Sequence, residues 1–331
     1  MVVAGLVASM ATVAGACASF GVETGPSTVG PEASVQGDAI APDDADGGGV
    51  GLDGSGPRMP DAGRCPVGGA FGAATLITIQ GGLYNVESAR FSADGTLAHL
   101  ALFPIAPGNK DDTALYEAQL LSTGTYTTPT PLPGIIQSHK YDSSPTLSPD
   151  LLHLVFATNR DGVLKLYASD RAAPNGQFGA LTSLLLPNQN TRIYADNPYL
   201  LANGATMYFA AASNSGNDWQ LFRSTGGPPD YMTKSAKALT GISPMPNVAP
   251  VVTEDEEEIF FASDRGGTAL DLWVMQHKPA GLPYEFQNEQ VLDTLSTSGI
   301  DYPVWVSPDA CDLYFIRKNG QAGQLYVAHR K

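Results

Sequence analysis

Pro145-Thr-Leu-Ser-Pro-Asp150, then Leu152-His-Leu-Val-Phe156, Asn159-Arg-Asp-Gly162 and Leu164-Lys-Leu-Tyr167, is a phrase that returns near the C-terminus. There it reads Val304-Trp-Val-Ser-Pro-Asp309, Leu313-Tyr-Phe315, Lys318-Asn-Gly320 and Leu325-Tyr326. Three further copies are centred on Asp94, Asn203 and Asp255, so the five turn residues stand 52 to 56 positions apart. A fixed period of this length is the mark of a repeat architecture, in which each unit buries its apolar face against its neighbours.

Each copy is made of short apolar segments separated by turn residues. The first segment is led by Pro or a small residue: Ala89-Arg-Phe91, Pro145-Thr-Leu147, Pro198-Tyr-Leu200, Pro250-Val-Val252 and Pro303-Val-Trp-Val306. The Asp/Asn/Gly turn that follows suits side chains able to bond their own backbone. The second segment carries Leu100, Phe156, Phe209, Phe261 or Phe315, always six residues after the turn landmark. Such β-branched, aromatic and Leu-rich runs predict buried strands. After a Gly/Asn/Asp hairpin the third segment brings a Leu-aromatic pair, as in Leu166-Tyr167 or Leu272-Trp273, and a variable fourth segment leads to the next copy. Four antiparallel strands per copy make one propeller blade.

The residues after Asp309 and those between Gly63 and Asp94 together fill one more period. The last blade therefore lacks its outer strand, and Ala73-Ala-Thr-Leu-Ile-Thr-Ile79 is placed to supply it. The expected fold is all-β, a propeller of five four-stranded blades spanning residues 63–331. Six blades, the alternative count, would need about 50 further residues. Closing the ring with both chain ends in one sheet also removes free edges.

The runs Ser148-Pro-Asp150 with Phe156-Ala-Thr-Asn-Arg-Asp-Gly162, and Phe260-Phe-Ala-Ser-Asp-Arg-Gly266 with Asp271-Leu-Trp273, resemble the WD40-like β-propeller repeat of TolB-type proteins. The resemblance covers residues 63–331 and implies a propeller, and only the propeller carries over from it.

The N-terminal region points to secretion. Val2 to Ala16 is an apolar run ending in small residues before Cys17, shorter than the roughly 20 residues that span a bilayer. A run of this kind suits a secretory leader. Its close, Ala14-Gly-Ala-Cys17, resembles the lipobox of bacterial lipoproteins, which implies a leader over 1–17 and a lipid on Cys17. An ordinary leader with Cys17 incidental is the alternative. Ala18 after Cys17 resembles lipoproteins sent to the outer membrane, so the expected location is the periplasm or the outer membrane surface. Residues 18–62 are rich in Gly, Pro, Ala, Ser and Asp, too poor in apolar groups to offset ordering entropy, and read as a disordered tether. Cys65 and Cys311 then remain as a pair within the final blade. A disulfide between them would stabilise ring closure by about 2–4 kcal/mol in an oxidising compartment. Two buried thiols are the other reading.

The net charge of −15 and the absence of a Lys/Arg cluster exclude nucleic acid and charge-driven membrane binding as partners. His99, His139, His153, His277 and His329 form no His-x-His or His-Glu-x-x-His pair, so no zinc motif is present. Gly-x-Ser-x-Gly, the hydrolase nucleophile elbow, is also missing.

One polar constellation recurs. Glu87, Asp142, Asp196, Asn247 and Asp301 stand just before the first strand of each blade, positions that ring one mouth of a propeller channel. Convergent carboxylates there suit a cation such as calcium, or a sugar. The competing readings are local Asx-type caps and inter-blade ion pairs with Arg160 and Arg265. Phe91, Tyr199 and Trp305 fall near the same strands and suit either sugar stacking or inter-blade packing, while Trp219 and Trp273 read as packing. The run Glu254-Asp-Glu-Glu-Glu258 reads as a solvated acidic turn. No catalytic residue emerges, and no cofactor beyond the calcium option. The expectation is a monomeric, non-catalytic recognition module for an envelope protein or cell-wall glycan. A carbohydrate-active lyase or glycosidase working at the channel mouth is the alternative.

Overall fold

The computed structural model describes residues 63–331 apart from 83, 104–112, 135–137, 139, 187–191, 214–215, 232, 244–245, 266–268 and 321. Cys17, the 1–17 leader, the 18–62 tether and His139 lie outside the described residues.

Among the described residues, twenty strands form five four-stranded antiparallel sheets arranged as a five-bladed β-propeller. The first strand, β1 (Thr75–Leu76), belongs to the last blade. Blade one is β2 (Asn85–Phe91), β3 (Leu97–Phe103), β4 (Ala114–Gln119) and β5 (Thr130–Pro131). Blade two is β6 (Asp142–Leu147), β7 (His153–Thr158), β8 (Lys165–Asp170) and β9 (Leu181–Ser183). Blade three is β10 (Arg192–Leu200), β11 (Thr206–Ser213), β12 (Gln220–Thr225) and β13 (Lys237–Ala238). Blade four is β14 (Asn247–Val252), β15 (Glu258–Ser263), β16 (Asp271–His277) and β17 (Phe286–Val291). Blade five is β18 (Ile300–Val306), β19 (Asp312–Asn319) and β20 (Ala322–His329), completed by β1, which pairs Thr75 with Val327 and Leu76 with Tyr326.

The repeated letters have repeated jobs. Leu100, Phe156, Phe209, Phe261 and Phe315 are all fully buried. The landmark carboxylates and the Asn203 amide hold the turns between first and second strands. Asp94 accepts from the Ser92 hydroxyl at 2.6 Å and the Thr96 amide at 3.0 Å, and Asp255 repeats this with Thr253 and Glu257 at 2.7 and 3.1 Å. These bonds hold the Asp94 carboxyl below its ordinary range, the Ser92 hydroxyl contributing most. The next residue turns left-handed in every blade: Gly95, Leu151, Gly204, Glu256 and Ala310, with φ between 57° and 69°. Glycine is the unstrained choice there, and the Asx turn holds the other three in place.

The first strands line the axis, and each bulges midway. The register slips between Ser143 and Thr146, between Asp196 and Tyr199, and between Val248 and Val251, with Ser144, Asn197 and Ala249 at positive φ. Small side chains at the bulge let five strands converge, and their polar atoms stitch across the axis. The Ser144 amide donates to the Ser88 hydroxyl at 2.8 Å, the Asn197 side chain to the Ser144 hydroxyl at 3.2 Å, and the Ala249 amide to the Asn197 side chain at 3.1 Å. The channel is thereby narrowed to a small cavity bounded by these residues with Arg90 and Tyr302.

The ends are fastened where the last blade closes. Cys65 and Cys311 form a disulfide, Cα to Cα 5.0 Å, joining residues 246 apart. The Cys65 amide also donates to the Asp309 carbonyl at 2.9 Å.

Candidate functional site

Two faces of the disk are distinct. One carries the hairpins between second and third strands; the other carries the landmark turns.

The ring residues lie on the hairpin face, and the fold engages most of them internally. Asp142, fully buried, pairs with Arg160 at 3.1 Å and accepts from the Ser138 amide and hydroxyl at 2.9 and 2.8 Å. Asp301, also fully buried, pairs with Arg317 at 2.8 Å and accepts from the Thr297 amide and hydroxyl at 2.7 and 2.8 Å. Asn247 accepts from Arg265 and donates to the Ser243 carbonyl at 3.1 Å. These contacts join a first strand to the second strand of the same blade or to the hairpin that follows it, so the expected inter-blade placement of Arg160 and Arg265 is corrected. The reason is antiparallel register, which sets Asp142 opposite Thr158 and Asn247 opposite Ser263, two residues before each arginine. A Ser or Thr four positions before the acid or amide (Ser138, Ser243, Thr297) is the sequence signal that accompanies the arrangement.

Glu87 is the inter-blade case. It pairs with Lys318 of blade five and accepts from the Tyr141 hydroxyl at 2.8 Å, while the Tyr302 hydroxyl donates to its carbonyl at 2.6 Å. Asp196 has no basic partner among the described residues. Its Oδ1 accepts from the Asn197 amide at 2.7 Å and from the Ser144 and Ser143 hydroxyls at 3.2 and 3.3 Å. Burial, with the Glu87 charge nearby, pushes its carboxyl up to about 6. No group of three His, Cys, Asp or Glu side chains suited to a metal occurs among the described residues.

The Asp196 shift fixes a pH dependence. Its folded pKa lies above the unfolded value near 3.8, so its stabilising contribution is complete below pH 4 and is lost as pH rises through about 6. The loss amounts to about 2–3 kcal/mol. Asp196→Asn keeps the Oδ1 acceptor and should raise the melting temperature at pH 7–8, with the advantage vanishing toward pH 4. Thermal melts across that range check it; equal melting temperatures at pH 8 would contradict it.

The described histidines each have a nearby partner. His99 lies 3.2 Å from Glu117, His153 2.7 Å from Asp170 and His277 3.1 Å from the Leu282 carbonyl, and His329 contacts Asp312. The acidic run Glu254 to Glu258 is not simply a solvated turn. Glu256 takes Arg223 of blade three in a two-pronged pair at 2.5 and 2.8 Å, and Asp255 takes Arg64. Glu254 accepts from the Ala202 amide at 2.8 Å. Glu258, fully buried, accepts from the Gly68 amide at 2.9 Å and lies 2.7 Å from Arg330. Its partners come from both chain ends, so the local sequence offers no sign of them.

The turn face keeps an open depression lined by Phe91, Tyr199 and Trp305 with Pro149, Pro308 and Leu151. Trp305 packs on Phe91 and Tyr314 at ring separations of 5.2 and 5.1 Å, and Phe91, Tyr199 and Trp305 are all largely buried in the contacts between blades. Arg90 reaches its floor from β2, and its guanidinium lies 4.0 Å over the Tyr199 ring. Trp273 instead stacks with Arg265 at 4.6 Å.

No family model and no curated protein matches this sequence. Solved structures do resemble it. TolB from Acinetobacter baumannii is 18% identical over 74% of this chain and 54% of that chain, with a TM-score of 0.46. A mannose phosphorylase from Leishmania mexicana is 8% identical over 79% of this chain and 89% of that one, at 0.51. A puromycin hydrolase is 17% identical over 70% of this chain and 33% of that one, at 0.39. The chain thus spans about half the length of that TolB. At these identities the likeness shows the fold alone: this chain has the β-propeller architecture found in proteins of several activities.

Proposed function

We propose that the protein is a secreted, lipid-anchored propeller of the bacterial envelope, WD40-like in its repeats, that acts as a non-catalytic recognition module through its turn face. The observation that carries this reading is the contrast between the two faces. On the hairpin face, Asp142, Asp301, Asn247 and Glu87 are engaged by Arg160, Arg317, Arg265 and Lys318. On the turn face an open depression lies over the largely buried Trp305, Tyr199, Phe91 and Arg90, with Pro149 exposed at its rim. Trp, Tyr and Arg are the residue types that dominate binding energy at protein interfaces. Cys17 supplies the anchor in this reading, and residues 18–62 the reach.

The test is site-specific photo-crosslinking of the full-length protein in its native envelope. A cross-linker at Pro149, exposed on the turn face, should capture one partner in stoichiometric yield, whereas one at Asp161 on the hairpin face should capture none. Capture from Asp161 alone would overturn the choice of face. Recovery of glycan from Pro149, with turnover of it in solution, would favour the carbohydrate-active enzyme.

A further inference from the structure

Arg90 is 92% removed from solvent, being 8% exposed. Its Nη2 donates to the Pro198 carbonyl at 3.2 Å, while Nε and Nη1 are buried with no hydrogen-bond partner among the described residues. It forms no ion pair with any described carboxylate. Burial pulls the guanidinium down to about 9, which leaves it charged at neutral pH. A buried charge without a counter-charge is strongly destabilising, and the Tyr199 ring offsets only part of that. The residue lines both the narrow axial cavity and the depression above it. The other basic residue in that lining, His99, is already beside Glu117.

We infer that the turn-face depression is an anion site, and that its ligand is a monocarboxylate joined to an apolar group. Arg90 is the counter-charge beneath it, and the largely buried Phe91, Tyr199 and Trp305 back its apolar side. This inference rests on the recognition reading above and names the chemical group that a partner presents. The single positive charge sets the valence. The chain carries −15 overall and Glu254 borders the same depression, so a dianion such as phosphate meets more repulsion than a carboxylate does. The aromatic backing favours an acid with an apolar body over a bare inorganic ion.

The test uses benzoate as probe, with benzamide as its neutral counterpart and inorganic phosphate as the dianion, on the full-length protein at constant ionic strength. Benzoate at tenfold its dissociation constant should raise the melting temperature by about 2–4 °C and perturb Trp305 fluorescence, a signal that Trp305→Phe removes. Benzamide and phosphate should do neither. Arg90→Met should abolish the benzoate shift while melting no lower than the unsubstituted protein without ligand, because it removes an unpaired buried charge. An equal shift with benzamide, a larger one with phosphate, or a benzoate shift that survives in Arg90→Met would each overturn the assignment. So would a marked loss of stability in Arg90→Met with no benzoate shift in the unsubstituted protein, since Arg90 would then be purely structural. Photo-crosslinking at Pro149 reads the choice of face independently, so a failed carboxylate site and a failed recognition face are distinguishable.

Discussion

Arg330→Met should lower stability by about 3–5 kcal/mol, the usual effect of stranding one member of a buried ion pair, and the melting temperature by roughly 10 °C. Arg330 and Glu258 have side chains 1% and 0% exposed, with the charges 2.7 Å apart. The contact is one of charges and not an aligned hydrogen bond, since Glu258 Oε2 gains no hydrogen from it. The guanidinium also donates to the Pro66 carbonyl at 3.0 Å and stacks over Phe71 and Phe260 at 4.8 and 5.7 Å. Methionine keeps much of that packing and removes the charge, so the loss reports chiefly on Glu258. Adding Glu258→Gln to Arg330→Met should recover a large part of it, because no buried charge then remains. Chemical denaturation of the single and double variants checks this. A single variant within 1 kcal/mol of the parent would mean that water reaches Glu258.

Removing the Cys65–Cys311 bridge as Cys65→Ala with Cys311→Ala should cost about 5 kcal/mol in the chain-entropy account. The bridge joins residues 246 apart, and a loop of that length gains much freedom in the unfolded chain when opened. The native state should change little. The Cys65 amide keeps its bond to Asp309, Arg64 keeps Asp255, and β1 keeps its pairing with β20. The loss should therefore appear in equilibrium unfolding with the circular dichroism of the folded protein unaltered. A folded-state spectrum that changes on removal would instead make the bridge a necessary part of the last blade's geometry. Combined with Arg330→Met, the effect should be less than additive. Both devices hold residues 63–72 against the same blade junction, and neighbouring interactions share their consequences.

The architecture was legible because it is written in local spacing. The fully buried Leu100, Phe156, Phe209, Phe261 and Phe315 fall at one offset from the landmark, and the Asx turns explain why that landmark is Asp or Asn. The pairing of residues 75–76 with the last strand followed from counting to one further period. Charge partners were less legible. Asp142 and Arg160 are 18 residues apart in one blade, but Glu258 meets Gly68 and Arg330, and Glu87 meets Lys318 across the closure of the ring. No periodicity marks a contact between two chain ends. Arg90 was hidden for a different reason. It sits between Ala89 and Phe91 in a first strand, and sequence does not reveal whether a basic residue there will find an acid opposite.

The pairing of β1 with β20 also orders events in time. Residues 75–76 leave the ribosome about 250 residues before Tyr326 and Val327, the partners they need. The first four blades draw all four strands from consecutive chain, so each can form as it is made. The fifth cannot, and its inner strands wait for a segment synthesised first and held idle longest. A nascent chain arrested before β20 is therefore an open arc with an unpaired edge, the form most exposed to proteases and to wrong partners. Emergence of β20 and closure of the ring become a single event.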